Sequence, residues 1–177
     1  MAETSSMTLI ETKTLGTAAA SIEFTSIPQD ATDLYVLAFL RSTNTADYTA
    51  IQFNGSSSSF SSRNLFGTGS AAQSNSRSDN LMVQTMNPSD YTANTFASTS
   101  IYIPNYTGST NKSFSVDSCL ENNATLTVLG LQAFLWSNTA AITSLTIQNG
   151  AGSTLTIGST ISLYKITKGS SGGVVVS

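Results

Sequence analysis

Apolar residues recur at every second position of this chain, a period that suits a strand, whose successive side chains point to opposite faces, and does not suit a helix. Ile22 and Phe24 alternate with Ser21, Glu23 and Thr25. Ile51 and Phe53 flank Gln52, Ile101 and Ile103 flank Tyr102, Phe114 and Val116 flank Ser115, and Leu145 and Ile147 flank Thr146. Each run predicts a strand with one face in a core and the other in water. Residues 34–40 and 126–136 depart from the alternation and are apolar on both faces. That pattern fits a central strand covered twice or a buried helix; the β-branched neighbours and the break at Gly130 favour strand.

Turn-forming clusters punctuate these runs: Pro28-Gln29-Asp30, Asn54-Gly55-Ser56, Asn87-Pro88-Ser89-Asp90, Asn105-Tyr106-Thr107-Gly108 and Asn149-Gly150-Ala151-Gly152. Gly and Asn tolerate positive φ, and Pro ends ladder pairing. About ten short strands at this spacing, with no amphipathic helix, predict an all-β fold: an antiparallel β-sandwich, with a jelly roll favoured over an immunoglobulin-like topology. The Ser/Gly/Asn-rich stretch from Ser56 to Ser78 reads as a loop or as a hairpin of weak strands. Residues 1–168 form one domain with a short N-terminal arm carrying Leu9 and Ile10. Residues 169–177 are a Gly/Ser linker ending in Val174, Val175 and Val176, a segment suited to adding a strand to a neighbour's sheet.

A chain of 177 residues is long enough to bury about two-thirds of its unfolded surface in a core. Only 10% of residues are charged, against about 25% in ordinary domains, so the predicted surface is neutral and rich in hydroxyls. Seven basic residues are scattered among ten acidic ones; nucleic-acid binding needs a clustered basic footprint and is not expected. No apolar run reaches the roughly 18 residues of a membrane helix, so membrane insertion is not expected. Met1–Ser6 has no signal-peptide character, and synthesis in the cytoplasm follows as the expectation.

The chain has no His and one Cys. Ser-His-Asp and Cys-His nucleophiles and ordinary zinc shells therefore have no residues to form from, and neither enzyme activity nor a metal or other cofactor is expected. Cys119 is expected to pack as a small apolar residue. The carboxylates Asp30, Asp33, Asp47, Asp79, Asp90, Asp117 and Glu121 sit in no glycosidase or calcium motif, and Asp30 and Asp33 read as turn and capping residues. Most aromatics, Trp136 included, are expected in the core. Tyr48, Tyr91 and Tyr106 border turn clusters and, with Asn54, are the candidates for surface recognition.

Residues 20–28 (ASIEFTSIP) and 33–37 (DLYVL), followed by Phe53-Asn54-Gly55, resemble the opening of a family of small structural proteins of tailed bacteriophages, of the kind found in marine and cyanobacterial phages. Residues 101–106 (IYIPNY), 135–145 (LWSNTAAITSL) and 158–166 (GSTISLYKI) follow the same pattern in the same order. The resemblance implies a non-enzymatic virion protein, either a capsid decoration (cement) protein or a tail fibre or appendage domain, with no catalytic residue to carry over. One compact domain without shaft or repeats favours decoration of the head. The expected partners are further copies of itself, as in a homotrimer, and the major capsid protein or other virion proteins, gripped through Leu9, Ile10 and Val174–Val176. The alternative is a tail knob that binds a host surface glycan through Tyr48, Asn54, Tyr91 and Tyr106.

Overall fold

The computed structural model describes residues 6–167; the arm expected at Val174, Val175 and Val176 lies outside them. Twelve strands follow in order: β1 (Met7–Thr14), β2 (Ser21–Phe24), β3 (Asp33–Leu40), β4 (Thr49–Phe53), β5 (Phe60–Gly67), β6 (Ala72–Arg77), β7 (Leu81–Met82), β8 (Ala97–Ile103), β9 (Lys112–Glu121), β10 (Thr127–Trp136), β11 (Leu145–Asn149) and β12 (Thr160–Ile166). They form an eight-stranded sheet, β1-β12-β3-β8-β9-β10-β5-β6, and a four-stranded sheet, β2-β11-β4-β7. All strand pairings are antiparallel. The two sheets pack as a β-sandwich, as the period-two pattern predicts.

The pairing is nested. β1 pairs with β12, β2 with β11, β3 with β8 and β4 with β7. The chain is thus a two-stranded ribbon folded over on itself, interrupted by the hairpins β5–β6 and β9–β10. These hairpins pair with each other through β10 and β5 and with the ribbon through β8 and β9, which widens one sheet into a wing. The Ser56–Ser78 stretch supplies the first hairpin. β6 has no buried side chain to mark it in the sequence; backbone pairing with β5 along Ser62↔Arg77 to Gly67↔Ala72 makes it a strand. The expected N-terminal arm is, from Met7 on, the edge strand β1.

The two segments that are apolar on both faces are both strands, and neither is covered twice. β3 lies between β12 and β8, and β10 between β9 and β5, so both are central within their sheet. A four-stranded layer covers only the inner face of an eight-stranded one. Leu34, Val36, Ala38 and Leu40 are therefore buried, whereas Phe39 on the other face is 48% exposed. On β10, Val128, Phe134 and Trp136 point inward, and Leu129, Leu131 and Leu135 are exposed. Cys119, expected to be packed, is exposed on the same outer side.

The core brings Ile22, Phe24, Ile51, Phe53, Leu145 and Ile147 of the small sheet against Leu34, Val36, Ile101, Ile103, Ile161 and Leu163 of the large one. An aromatic cluster joins the wing to it. The Phe53 ring meets Trp136 edge-on at 5.4 Å, Phe114 edge-on at 5.3 Å and Phe60 tilted at 5.7 Å. Phe114 stacks on Phe134 at 4.9 Å. Each such pair adds about 0.5–1.5 kcal/mol beyond burial. Two buried charged groups order nearby turns. Lys112 Nζ donates to the carbonyls of Gly108 (2.6 Å) and Thr110 (2.5 Å). Asp33 accepts from Tyr102 Oη (2.8 Å) and from the Asn105 N–H (3.0 Å).

Trp136→Ala is expected to cost about 3–5 kcal/mol. Leu129→Ser, from the same strand but the outer face, should change stability by less than about 0.5 kcal/mol in dilute protein. Urea unfolding of both variants checks the one-sided cover; equal losses would contradict it.

Candidate functional site

The four residues singled out for surface recognition do not converge. Tyr106 is fully buried, part of the main core, and its hydroxyl donates to the Pro28 carbonyl; the expectation that it faces solvent is corrected. Burial pushes its phenol above the usual value. Asn54 is a turn residue. Asn54 (φ 53°) and Gly55 (φ 72°) are both left-handed, and the Ser56 N–H bonds the Phe53 carbonyl at 2.9 Å, the type I′ geometry that Asn-Gly favours. The Asn54 side chain is spent on the neighbouring loop: Oδ1 accepts from the Thr143 and Ser144 N–H groups (2.8 and 3.1 Å), and Nδ2 donates to the Ala141 carbonyl (2.8 Å).

Tyr91 is half-buried against a second small core of Ala97, Leu120 and Val128. Its loop is held by a residue with no sequence signal, the buried Arg41 just after β3. The Arg41 guanidinium donates to the carbonyls of Ser89 (3.0 Å), Tyr91 (2.8 Å), Thr92 (2.8 Å) and Thr95 (3.2 Å). Carbonyl dipoles, not a carboxylate, compensate this charge. A planar fork with five donors can satisfy several carbonyls at once, which a lysine ammonium cannot match in geometry.

Tyr48 keeps a half-exposed ring over Gly150 and lines a hollow of about 230 Å³ with Arg77, Leu81 and Val83. Asp79 stands beside it, its carboxylate forked by Arg77 at 2.9 and 2.7 Å. Burial acts to raise the Asp79 carboxyl, and the bonds from Arg77 and from the Leu81 N–H outweigh it and leave it below the usual value. Next to Tyr48, the partly buried Asp47 accepts from Gln84 Nε2 at 2.5 Å. Desolvation raises its carboxyl above the usual value despite that bond.

Among the described residues, the outer face of the eight-stranded sheet is left uncovered. Leu9 of β1 is 50% exposed there, opposite Tyr164, which pairs with Tyr35, which in turn pairs with Tyr102. Ile10, at the β-bulge after Leu9, packs instead against the core. On the wing, Leu129, Leu131 and Leu135 of β10 and Leu65 of β5 form an apolar stripe, each 37–53% exposed, with Leu65 directly opposite Leu131. Hollows of about 290 and 250 Å³ lie on either side of Ala133, one lined by Arg63 and Leu135, the other by Tyr102 and Ser115. The sequence shows these leucines as apolar and predicts a twice-covered strand or a buried helix there; the width of the second sheet leaves them exposed on a strand.

No family model, no curated protein and no solved structure matches this chain. Among the described residues, no three His, Cys, Asp or Glu side chains are grouped to hold a metal ion, and no helix is long and apolar enough to cross a membrane.

Between the usual and the raised value of the Asp47 carboxyl, the unfolded chain has lost a proton that the folded chain keeps, so stability falls as pH rises through that window. Asp47→Asn retains the acceptor for Gln84 without the charge. It should be at least as stable as the parent at pH 7, with the difference shrinking as pH falls below the usual carboxylate range. Thermal melts at several pH values check the sign.

Proposed function

We propose that this chain is a non-enzymatic structural subunit of a tailed-phage virion, a decoration protein on the outside of the head. The observation that carries the reading is the broad, charge-poor outer sheet face with its exposed leucines. A surface of this kind gains free energy by being covered. Two further points support it. The sequence segments of β2, β3, β8 and β12 are among those that resemble small phage structural proteins. The nested pairing of β1 with β12, β2 with β11, β3 with β8 and β4 with β7 is also what rolling a two-stranded ribbon into a jelly roll produces, an architecture used by viral capsid domains.

In this role the protein would act through buried area, adding subunit contacts across a shell under internal pressure, with Val174–Val176 as the arm that reaches a neighbour. Labelling the protein on intact particles and imaging the label is expected to show it spread over the head. Particles lacking it should release genome at a lower temperature than complete ones. Label confined to the tail, or unchanged heat release, would overturn the head-decoration reading.

The Tyr48 hollow favours a second reading, a host-glycan contact on a tail appendage. An aromatic ring beside an Arg77–Asp79 fork offers a stacking face and polar groups, the combination that sugar recognition uses. On that reading a glycan array shows a ligand that Tyr48→Ala abolishes. Silence across the array with folded protein counts against it.

A further inference from the structure

We propose that the wing of the large sheet is a self-complementary interface, on which a second copy of this chain packs face to face about a twofold axis running along β10. The proposal rests on reading the outer face as an assembly surface and names the partner for it.

The strand order places β10 at the centre of five strands, with β9 and β8 on one side and β5 and β6 on the other. A twofold along β10, lying between the two sheets, lays each copy's β5 side over the other's β9 side. Its centre is apolar: Leu129, Leu131, Ala133 and Leu135 of one copy face the same residues of the other. Five strands about 4.8 Å apart, roughly 30 Å long, cover roughly 700 Å² before side chains corrugate the surface. A standard interface buries about 800 Å² per partner, so the face is large enough.

The charges favour a second copy over a foreign partner. Across these strands the outer face carries one cation, Arg63 on β5, and on the opposite side of the leucine stripe the anion Asp117 on β9, with Glu121 at the end of that strand, its carboxylate accepting from the Asn123 N–H. Arg63 pairs with Ala133, and Asp117 with Leu131, so the two lie one row apart. Neither is in an ion pair among the described residues; Arg63 Nη1 donates only to the adjoining Ser62 carbonyl at 3.0 Å. The twofold swaps the sides and brings each Arg63 over the other copy's Asp117 side. There the hollow lined by Tyr102, Ser115 and Ala133 can receive the guanidinium. Two symmetric ion pairs then border an apolar centre, and the opposite signs cancel only against the same surface turned round. Aligned sheets pack about 30° apart, and the length of an Arg side chain covers the offset of one row.

The test is solution mass by sedimentation equilibrium on the full chain, with near-UV circular dichroism as the folding control. The parent is expected to be dimeric at about 100 μM. Leu131→Glu should give a folded monomer. Arg63→Asp and Asp117→Arg should each weaken the dimer at least about tenfold, because each places like charges together. The double variant, which restores opposite signs, should recover most of the affinity. A parent that stays monomeric, a dimer or trimer indifferent to Leu131→Glu, or a double variant no better than the singles each overturns the proposal. Binding of a shell protein that Leu131→Glu abolishes, with no dimer in solution, would assign the face to a foreign partner and also overturn it. Solution mass reads the dimer independently of where particles carry the label, so failure here is separable from failure of the head-decoration reading.

Discussion

The contact of Phe53 with Trp136, Phe60 and Phe114 is the one on which the two parts of the fold depend. Phe53 ends β4 of the small sheet; its three partners lie on β10, β5 and β9, the strands of the inserted hairpins. Without an aromatic wedge at that corner, the hairpins would extend the large sheet past anything able to cover it. With it, the inner face of the wing shares the core of the folded ribbon, and Gln132 adds a polar tie, bonding both the N–H and the carbonyl of Val83 at 2.9 and 2.8 Å. Hydrophobic area and backbone pairing thus meet in one place.

The same geometry explains why one surface is left over. The inner face of an eight-stranded sheet is larger than four strands can cover, and residues 83–96, between β7 and β8, fill the difference through Arg41, Gln132 and the small core around Leu120. Among the described residues, nothing is placed to cover the outer face. Apolar residues there would be a liability in an isolated molecule, since exposed, weakly charged sheet faces invite association. On the wing they form a stripe with the cation Arg63 on one side and the anion Asp117 on the other, which gives that association a register. The assembly reading rests on this match between surplus apolar area and sparse, paired charge.

Polar residues in this chain work mostly on the backbone. Asn54, Arg41, Lys112 and Asp33 each satisfy turn carbonyls or N–H groups, and none opens toward a common cleft. Buried backbone groups in turns must find partners, and a sandwich with long connections has many of them. The abundance of Asn, Ser and Thr follows from that need. Tyr48, with Arg77 and Asp79, is the exception that keeps both an aromatic face and a fixed charge at a hollow.

The sequence by itself determined the all-β class, the positions of the strong strands and the Asn54-Gly55 turn, because period-two alternation and positive-φ residues are local signals. It also marked residues 34–40 and 126–136 as unusual. Only the tertiary structure decided what that meant, since whether Leu129, Leu131 and Leu135 are covered depends on how many strands the opposite sheet has. Likewise the burial of Tyr106, the strand state of β6, the hold of Arg41 on the Tyr91 loop and the exposure of Cys119 arise from partners distant in sequence, whose pairing no local pattern records.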